Sequence, residues 1–464
     1  MTTPKVELSF DAGTVLARVS SAGDSYRLPE PWTFDSRVDR WRIPAVYYRE
    51  AYMALHAEEE EGRIDISDTA RAYEELSLTR VGDRSPRPYQ REAVKAWLDA
   101  DQRGQIILPT GSGKSFVAHL IMEQIQRSTL IVVPTIDLMN QWYSTTLSTF
   151  DLDEVGLIGG GHHDVRAVTV TTYDSAFIHM ERYGNRFGLV IFDECHHLPG
   201  PSYSQAARCM LAPFRLGLTA TPEREDGGEV TNDELVGPIV YRRKIRELSG
   251  DFLSQYETET IRVELTEKER QRYEHARSVY LDFLRSNRIN FGRKSGWGEF
   301  VARSSRSREG RRAMRAYQAQ RSLALSCDRK IRAVERILLE HRKDRTILFT
   351  HDNDTVYQLS RRLLIPCITH QTPTRERKEI LDCFNDGTYR AVVTSRVLNE
   401  GVDVPEANVA VILSGTSTVR EHVQRLGRIL RPREGKQAML YEVIAADTVE
   451  EKVSERRRKH DAYR

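Results

Sequence analysis

The chain has no run of about 18 uninterrupted apolar residues, so no segment is built to cross a bilayer as a helix. It has no Cys-x-x-Cys pair. Its five cysteines (Cys195, Cys209, Cys327, Cys367 and Cys383) are scattered, which suggests neither a zinc ribbon nor a disulfide framework and fits a reducing cytoplasm. Glu7 and Asp11 stand where a signal peptide needs an apolar stretch, so export is not expected. Lysine is scarce: 12 of the 69 cationic side chains are Lys and 57 are Arg. Arg offers phosphate a planar fork of donors that Lys lacks. A codon bias would give the same excess, so the position of the charge says more than its total, a net +2.

What is present is a globular composition, 39% hydrophobic and 29% charged over 464 residues. At roughly 150 residues per domain, about three domains are expected. Residues 1–80 read as a small α+β domain, with VELSF, TVLARV and SYRLP as short strands. The stretch WRIPAVYYREAYMALHAEEEEG follows as a helix with an acidic, solvated end, and Gly82–Pro88 has linker composition. From 85 to 248, short apolar runs (QIIL, TLIVVP, AVTVTT, LVIFDE, FRLGLTAT) alternate with amphipathic stretches. That pattern implies a parallel sheet covered on both faces. It returns over 328–464. Between them, 249–327 is helical, Arg-rich and poor in buried-strand signals.

The sharpest local signal is IILPTGSGKSFVAHL at 106–120, a strand, a Gly-rich turn and a helix. Thr110, Gly111, Ser112 and Gly113 would wrap backbone N–H groups around phosphate oxygens at the helix start. Lys114 would reach the β- and γ-phosphates and Ser115 would ligate magnesium. The common pattern opens with Gly where this chain has Leu108. About 80 residues later, LVIFDECHH places Asp193 and Glu194 at a strand end, where α/β sheets bind ligands. Asp193 is suited to hold magnesium and Glu194 to orient and deprotonate water. Cys195, His196 and His197 invite a zinc reading, but three adjacent residues on a tight turn point in different directions.

GSGKS followed by the DECH box resembles the superfamily 2 helicases. Thr219-Ala220-Thr221 resembles their TAT motif, NEGVDVP with Gly401 and Asp403 their fifth motif, and QRLGRILR their arginine-finger motif, with Gln424, Arg428 and Arg431 as its key positions. RPYQREAV (87–94), VVPTIDLMNQW, TTYDSAF, RLGLTATPEREDG and LIPCITHQTPTRERKEIL narrow the resemblance to the XPB-like branch. The resemblance implies two RecA-like parallel-sheet motor domains, a small damage-recognition-like N-terminal domain and a helical thumb-like insertion near 266–325. It also implies that Arg87 and Gln90 serve adenine, and that Arg224, Glu225 and Asp226 form an Arg-Glu-Asp motif. Thr135, Thr172, Thr350 and Thr394 would touch the DNA backbone, although Thr at such places is equally a structural cap.

The activity implied is an ATP-dependent DNA helicase using Mg2+, of 3′-to-5′ polarity, in nucleotide excision repair or transcription. Its partner would be single-stranded, forked or damaged duplex DNA, in the cytoplasm at the nucleoid. Two rivals are a duplex translocase without strand separation and a damage-binding scaffold whose ATPase times a nuclease partner.

One segment stands apart. Residues 285–315 carry ten cations against Glu299 and Glu309, a net +8. Phe291, Trp297 and Phe300 interleave with them and are expected to stack on unpaired bases, while Gly292, Gly296 and Gly298 are expected to loosen the tip.

Overall fold

The computed structural model describes residues 3–20, 26–220, 229–248, 255–291, 295–395, 407–413 and 437–451. The chain divides into two compact units, with the break at Lys244/Ile245.

The first unit opens with the hairpin β1 (Lys5–Asp11) and β2 (Thr14–Ser20), turned by Ala12 and Gly13 at φ 45° and 73°. Period-two alternation buries Val6 and Leu8. β3 (Thr33–Asp35), β4 (Arg40–Pro44) and β5 (Asp65–Asp68) complete a sheet of order β3-β4-β2-β1-β5, with helix α1 (Tyr48–Glu60) between β4 and β5. Two expectations are corrected here. SYRLP is no strand over its described residues Tyr26–Pro29; Leu28 instead plugs the core. WRIP is not helical but forms β4, pairing with β2 and β3.

The module has its own sheet and core and packs against its neighbour. Val46 sits in the core of the larger sheet and Leu211 in that of the smaller. A Cβ on Gly13 would lie 2.5 Å from the Cys209 sulfur, so the hairpin turn fits there only as Gly.

The larger sheet comprises β6 (Arg103–Ile107), β7 (Thr129–Val133), β8 (Gly156–Gly159), β9 (His162–Asp164), β10 (Val168–Thr172), β11 (Leu189–Asp193), β12 (Phe214–Thr219) and β13 (Ile239–Arg242). Its order is β13-β6-β12-β11-β7-β10-β8-β9, parallel except for the β8/β9 pair. Every residue of β7, β10 and β11 is buried, as both-face coverage requires. The covering helices are α2 (Pro88–Asp99), α3 (Lys114–Ile125), α4 (Ile136–Phe150), α5 (Tyr173–Tyr183), α6 (Pro201–Arg208) and α7 (Glu229–Leu235). The stretch with linker composition is pinned: its Arg84 lies 4.1 Å from the centre of the Phe116 ring on α3, and Arg80, just before the stretch, lies 5.3 Å from it.

The second unit contains α8 (Ile245–Leu248), β14 (Gln255–Val263), α9 (Glu267–Ser286), α10 (Gly296–Arg306), α11 (Arg308–Ser326), α12 (Asp328–Glu340), β15 (Thr346–Phe349), α13 (Asn353–Leu363), β16 (Cys367–Ile368), α14 (Thr374–Asn385), β17 (Ala391–Thr394), β18 (Val409–Ile412) and β19 (Gln437–Ala445). Its sheet is wholly parallel in the order β14-β19-β18-β15-β17-β16. The sheet therefore reaches into the segment expected to lack strands: β14 is its edge. Helices α9–α11 form the insertion that follows. Thr266 and Glu269 start α9 with a reciprocal capping box. Tyr280, Leu284, Ile289, Phe300 and Ala313 form the insertion's own small core.

Candidate active site

The site lies at the carboxyl ends of β6, β11 and β12. Gly111 and Gly113 both sit at φ 84°, which only Gly adopts without strain, and Gly113 caps α3. The loop is held from behind. Tyr89 Oη and Gln90 Nε2 both donate to the Ser112 carbonyl, at 2.6 and 2.9 Å, while Gln90 Oε1 accepts from the Arg87 N–H at 3.0 Å. A Cβ on Gly113 would meet the Gln90 amide at 2.7 Å. Arg87 and Gln90 are thus joined to the phosphate loop, and Gln90 is buried rather than displayed. Thr110 Oγ1 is buried with no protein partner among the described residues. Lys114 and Ser115 open α3.

Lys114 Nζ stands 4.0 Å from Glu194 Oε1. β11 ends at Asp193, and Glu194 turns left-handed (φ 49°, ψ 51°), which sends the two carboxylates different ways. Asp193 Oδ1 accepts from the Glu194 N–H at 3.0 Å and Oδ2 from the Trp142 indole N–H at 2.8 Å. Burial, then the Glu194 charge, pushes the Asp193 carboxyl up to about 6, against Lys114 and the indole hydrogen bond. Thr219 Oγ1 donates to Glu194 Oε2 at 3.1 Å, and His196 Nδ1 lies 2.9 Å from the same hydroxyl. Since the hydroxyl proton goes to Glu194, the Nδ1 of His196 is the donor in that second bond.

The neighbours of His196 diverge. The Cys195 thiol faces Gln105 and is pushed up by burial, while the His197 ring lies against Tyr173. A half-buried phosphate loop beside the Thr110 hydroxyl, which has no protein partner among the described residues, with a Lys and two carboxylates at its mouth, fits a nucleoside triphosphate carried with a divalent cation.

The threonines separate into two pairs. Thr135 follows β7 and Thr172 ends its neighbour β10; they cap α4 and α5 by accepting from the Leu138 and Ser175 N–H groups. Thr350 follows β15 and Thr394 ends its neighbour β17; both are fully buried, with hydroxyls turned to the Asp352 and Ser395 carbonyls, so the expected touch on the DNA backbone fails at these two. Thr221, Arg224, Glu225, Asp226, Gly401, Asp403, Gln424, Arg428 and Arg431 lie outside the described residues.

On the insertion, Arg285, Arg288, Arg303, Arg306, Arg308, Arg311, Arg312 and Arg315 are all exposed. Trp297 is 48% exposed, with its ring centre 5.2 Å from that of Tyr317. Two expectations fail. Phe300 is fully buried and has no face for a base. Gly296 is a packing residue rather than a loosening one, since a Cβ there would meet the Asn290 carbonyl oxygen at 2.1 Å. Gly298 also belongs to α10, but a Cβ there would meet nothing within 4 Å, so packing does not require it. Gly292, Arg293 and Lys294 lie outside the described residues. A groove of about 560 Å³ between α9 and α11 is lined by Arg272 and His275 beside Arg312 and Arg315.

Sequence reasoning missed Trp142, Tyr89, Arg84 and Arg272. Trp142 lies midway along α4, where an indole on an amphipathic helix reads as core.

Three family models match the chain. Residues 8–65 match the xeroderma pigmentosum group B helicase damage recognition domain, 83–224 the type III restriction enzyme res subunit, and 311–461 the ERCC3/RAD25/XPB C-terminal helicase. A DNA 3′-5′ translocase XPB2 of Sulfurisphaera tokodaii is 44% identical, over 80% of this chain and 84% of the relative. A DNA 3′-5′ helicase XPB of Mycobacterium tuberculosis is 31% identical over 78% of this chain, which spans 61% of that longer relative. The helicase domain of Pyrococcus furiosus Hef shares the fold, with a TM-score of 0.54 at 19% identity over 80% of this chain and 97% of that one. With the phosphate loop, the paired carboxylates and these matches in place, the chain belongs to the XPB family of DNA helicases and translocases.

Proposed function

We propose that this chain is an ATP-driven DNA motor that tracks 3′ to 5′ and separates strands, in repair or transcription. The observation that carries the reading is the convergence of Lys114, Asp193, Glu194 and Thr219 at the ends of three adjacent strands. Lys114 neutralises charge on the β- and γ-phosphates. Ser115 and Asp193 would hold Mg2+, which screens the phosphate charge. Glu194, steadied by Thr219, orients the attacking water and accepts its proton. Arg428 and Arg431 are proposed to stabilise the transition-state charge, with Gln424 beside them, and Gly401 and Asp403 to serve nucleotide. Because Gln90 is tied to both Arg87 and Ser112, an adenine sensed there would register directly in the phosphate loop.

DNA is assigned to Thr135 and Thr172, to Thr221 and the Arg-Glu-Asp motif, and to the exposed arginines and Trp297 of the insertion. A nucleoid location belongs to the same proposal, and a nuclease partner to the scaffold reading. The test is ATP turnover with single-stranded, duplex and forked DNA, beside strand displacement. Turnover raised by DNA and displacement of a 3′-tailed fork are expected. Turnover indifferent to all three DNAs overturns the reading. Because the first relative is named a translocase, a second reading is movement on duplex without separation, which would show as triplex displacement with no fork opening.

A further inference from the structure

We propose that Trp142 is a positioning residue for the ATP site: its indole N–H fixes the carboxylate of Asp193 in the orientation that meets the divalent cation. The inference rests on the ATP-site reading above.

A buried Trp needs a partner for its N–H, and a backbone carbonyl suffices. Trp97 shows that ordinary solution, donating to the Arg215 carbonyl at 3.0 Å. Trp142 is as deeply buried, yet directs its N–H at Asp193 Oδ2, on a strand 51 residues away. The other oxygen is held by the Glu194 N–H. Both donors are rigid, one a backbone amide and one an indole clamped in the core. Rotation of the carboxylate about its last bond would break both hydrogen bonds together.

The clamp comes from the helix that begins with Lys114 and Ser115. The His119 ring packs edge-on against the indole at 5.4 Å and against Phe150 at 5.5 Å, and its Nε2 lies 3.1 Å from Thr146 Oγ1. One indole therefore keys α3, α4 and β11 to one another. The same helix α4 starts at its cap Thr135, a proposed DNA contact, about two turns before Trp142. Groups that orient a metal-binding carboxylate typically change metal affinity by about 10–100-fold when removed.

The test is Trp142→Phe, which keeps an aromatic ring in the core and removes the N–H. Binding of a fluorescent ATP analogue is titrated with and without Mg2+, and folding is checked by thermal melting. The Mg2+ concentration for half-saturation should rise about tenfold or more, with metal-free nucleotide affinity unchanged. A half-saturation within about twofold of wild type, or an equal loss of metal-free and metal-dependent affinity, overturns the proposal. If wild type itself shows no Mg2+-dependent nucleotide binding, the ATP-site reading fails instead. Should the variant not fold, wild-type protein with ¹⁵N-labelled indoles decides. Adding Mg2+ to the nucleotide-saturated protein should shift one solvent-protected indole resonance, and no such shift overturns the proposal.

Discussion

Around the end of β11 the ionic groups are buried or half-buried and each carboxylate is gripped by a protein donor, whereas along α10 and α11 guanidinium groups stand in solvent. Of the eight exposed arginines on 285–315, Arg303 and Arg285 reach carboxylates, at 2.6 and 3.4 Å, on their own helices. The contrast separates two uses of charge. Chemistry needs charge already in place when the transition state forms, because reorganisation then adds to the barrier. Attraction for a polyanion needs only density, since its gain comes from released counterions and not from any one geometry. The first should be sensitive to single atoms and indifferent to salt, the second the reverse.

The largest break should come from Glu194→Gln. Asp193 and Lys114 remain, so ATP should still bind, but turnover should fall at least about 100-fold in a steady-state assay. Lys114→Ala should likewise abolish turnover in a folded protein. Next in size is the salt response. Replacing the eight exposed arginines by Gln should flatten the log–log slope of DNA affinity against salt by about 3, if roughly half of them meet phosphates. Titrations at several salt concentrations measure it, and turnover without DNA should stay level.

Trp297→Ala comes third. Its half-exposed ring should contribute about 1–3 kcal/mol to single-strand binding at constant charge, read by fluorescence titration. The smallest effect sharpens the buried side of the comparison. Burial, with Arg84 and Arg80 adding, holds His119 down to about 3, so the folded chain takes no proton there until well below the unfolded value near 6.5. Between those values the unfolded state binds the extra proton, and stability falls as pH falls. Relative to His119→Leu, wild type should lose about 1 kcal/mol between pH 7.5 and 5.5, measured by denaturant unfolding.

What was legible followed the range of the interaction. The phosphate loop and the Asp193-Glu194 pair are local, and both stand where their spacing put them. Trp142 could not be read, because its partner is 51 residues away and an indole on an amphipathic helix looks like core. Gly296 and Phe300 were misread for the opposite reason. Within a short Arg-rich stretch, composition suggests an open tip, and only tertiary packing reveals that both lie against neighbouring backbone and core. WRIP was absorbed into the helix that follows it, since four residues carry too little periodicity to stand alone. β14 was missed because QYETETIRV alternates charge with β-branched residues: it is an edge strand, and edges do not look like buried strands.

That edge strand sets an order of assembly. β14 pairs with β19 residue for residue from Gln255↔Gln437 to Val263↔Ala445, with the whole insertion and the other strands of the sheet between them. At about 5–20 residues per second of synthesis, β14 leaves the ribosome roughly 10 to 40 s before its partner exists. During that interval it is an unpaired strand with open N–H and C=O groups, the kind of template on which chains aggregate. Glu257, Glu259 and Arg262 stay exposed even after pairing, and their charges would repel a second copy while the strand waits. The residues that hid β14 as a strand are the ones that let it wait unpaired.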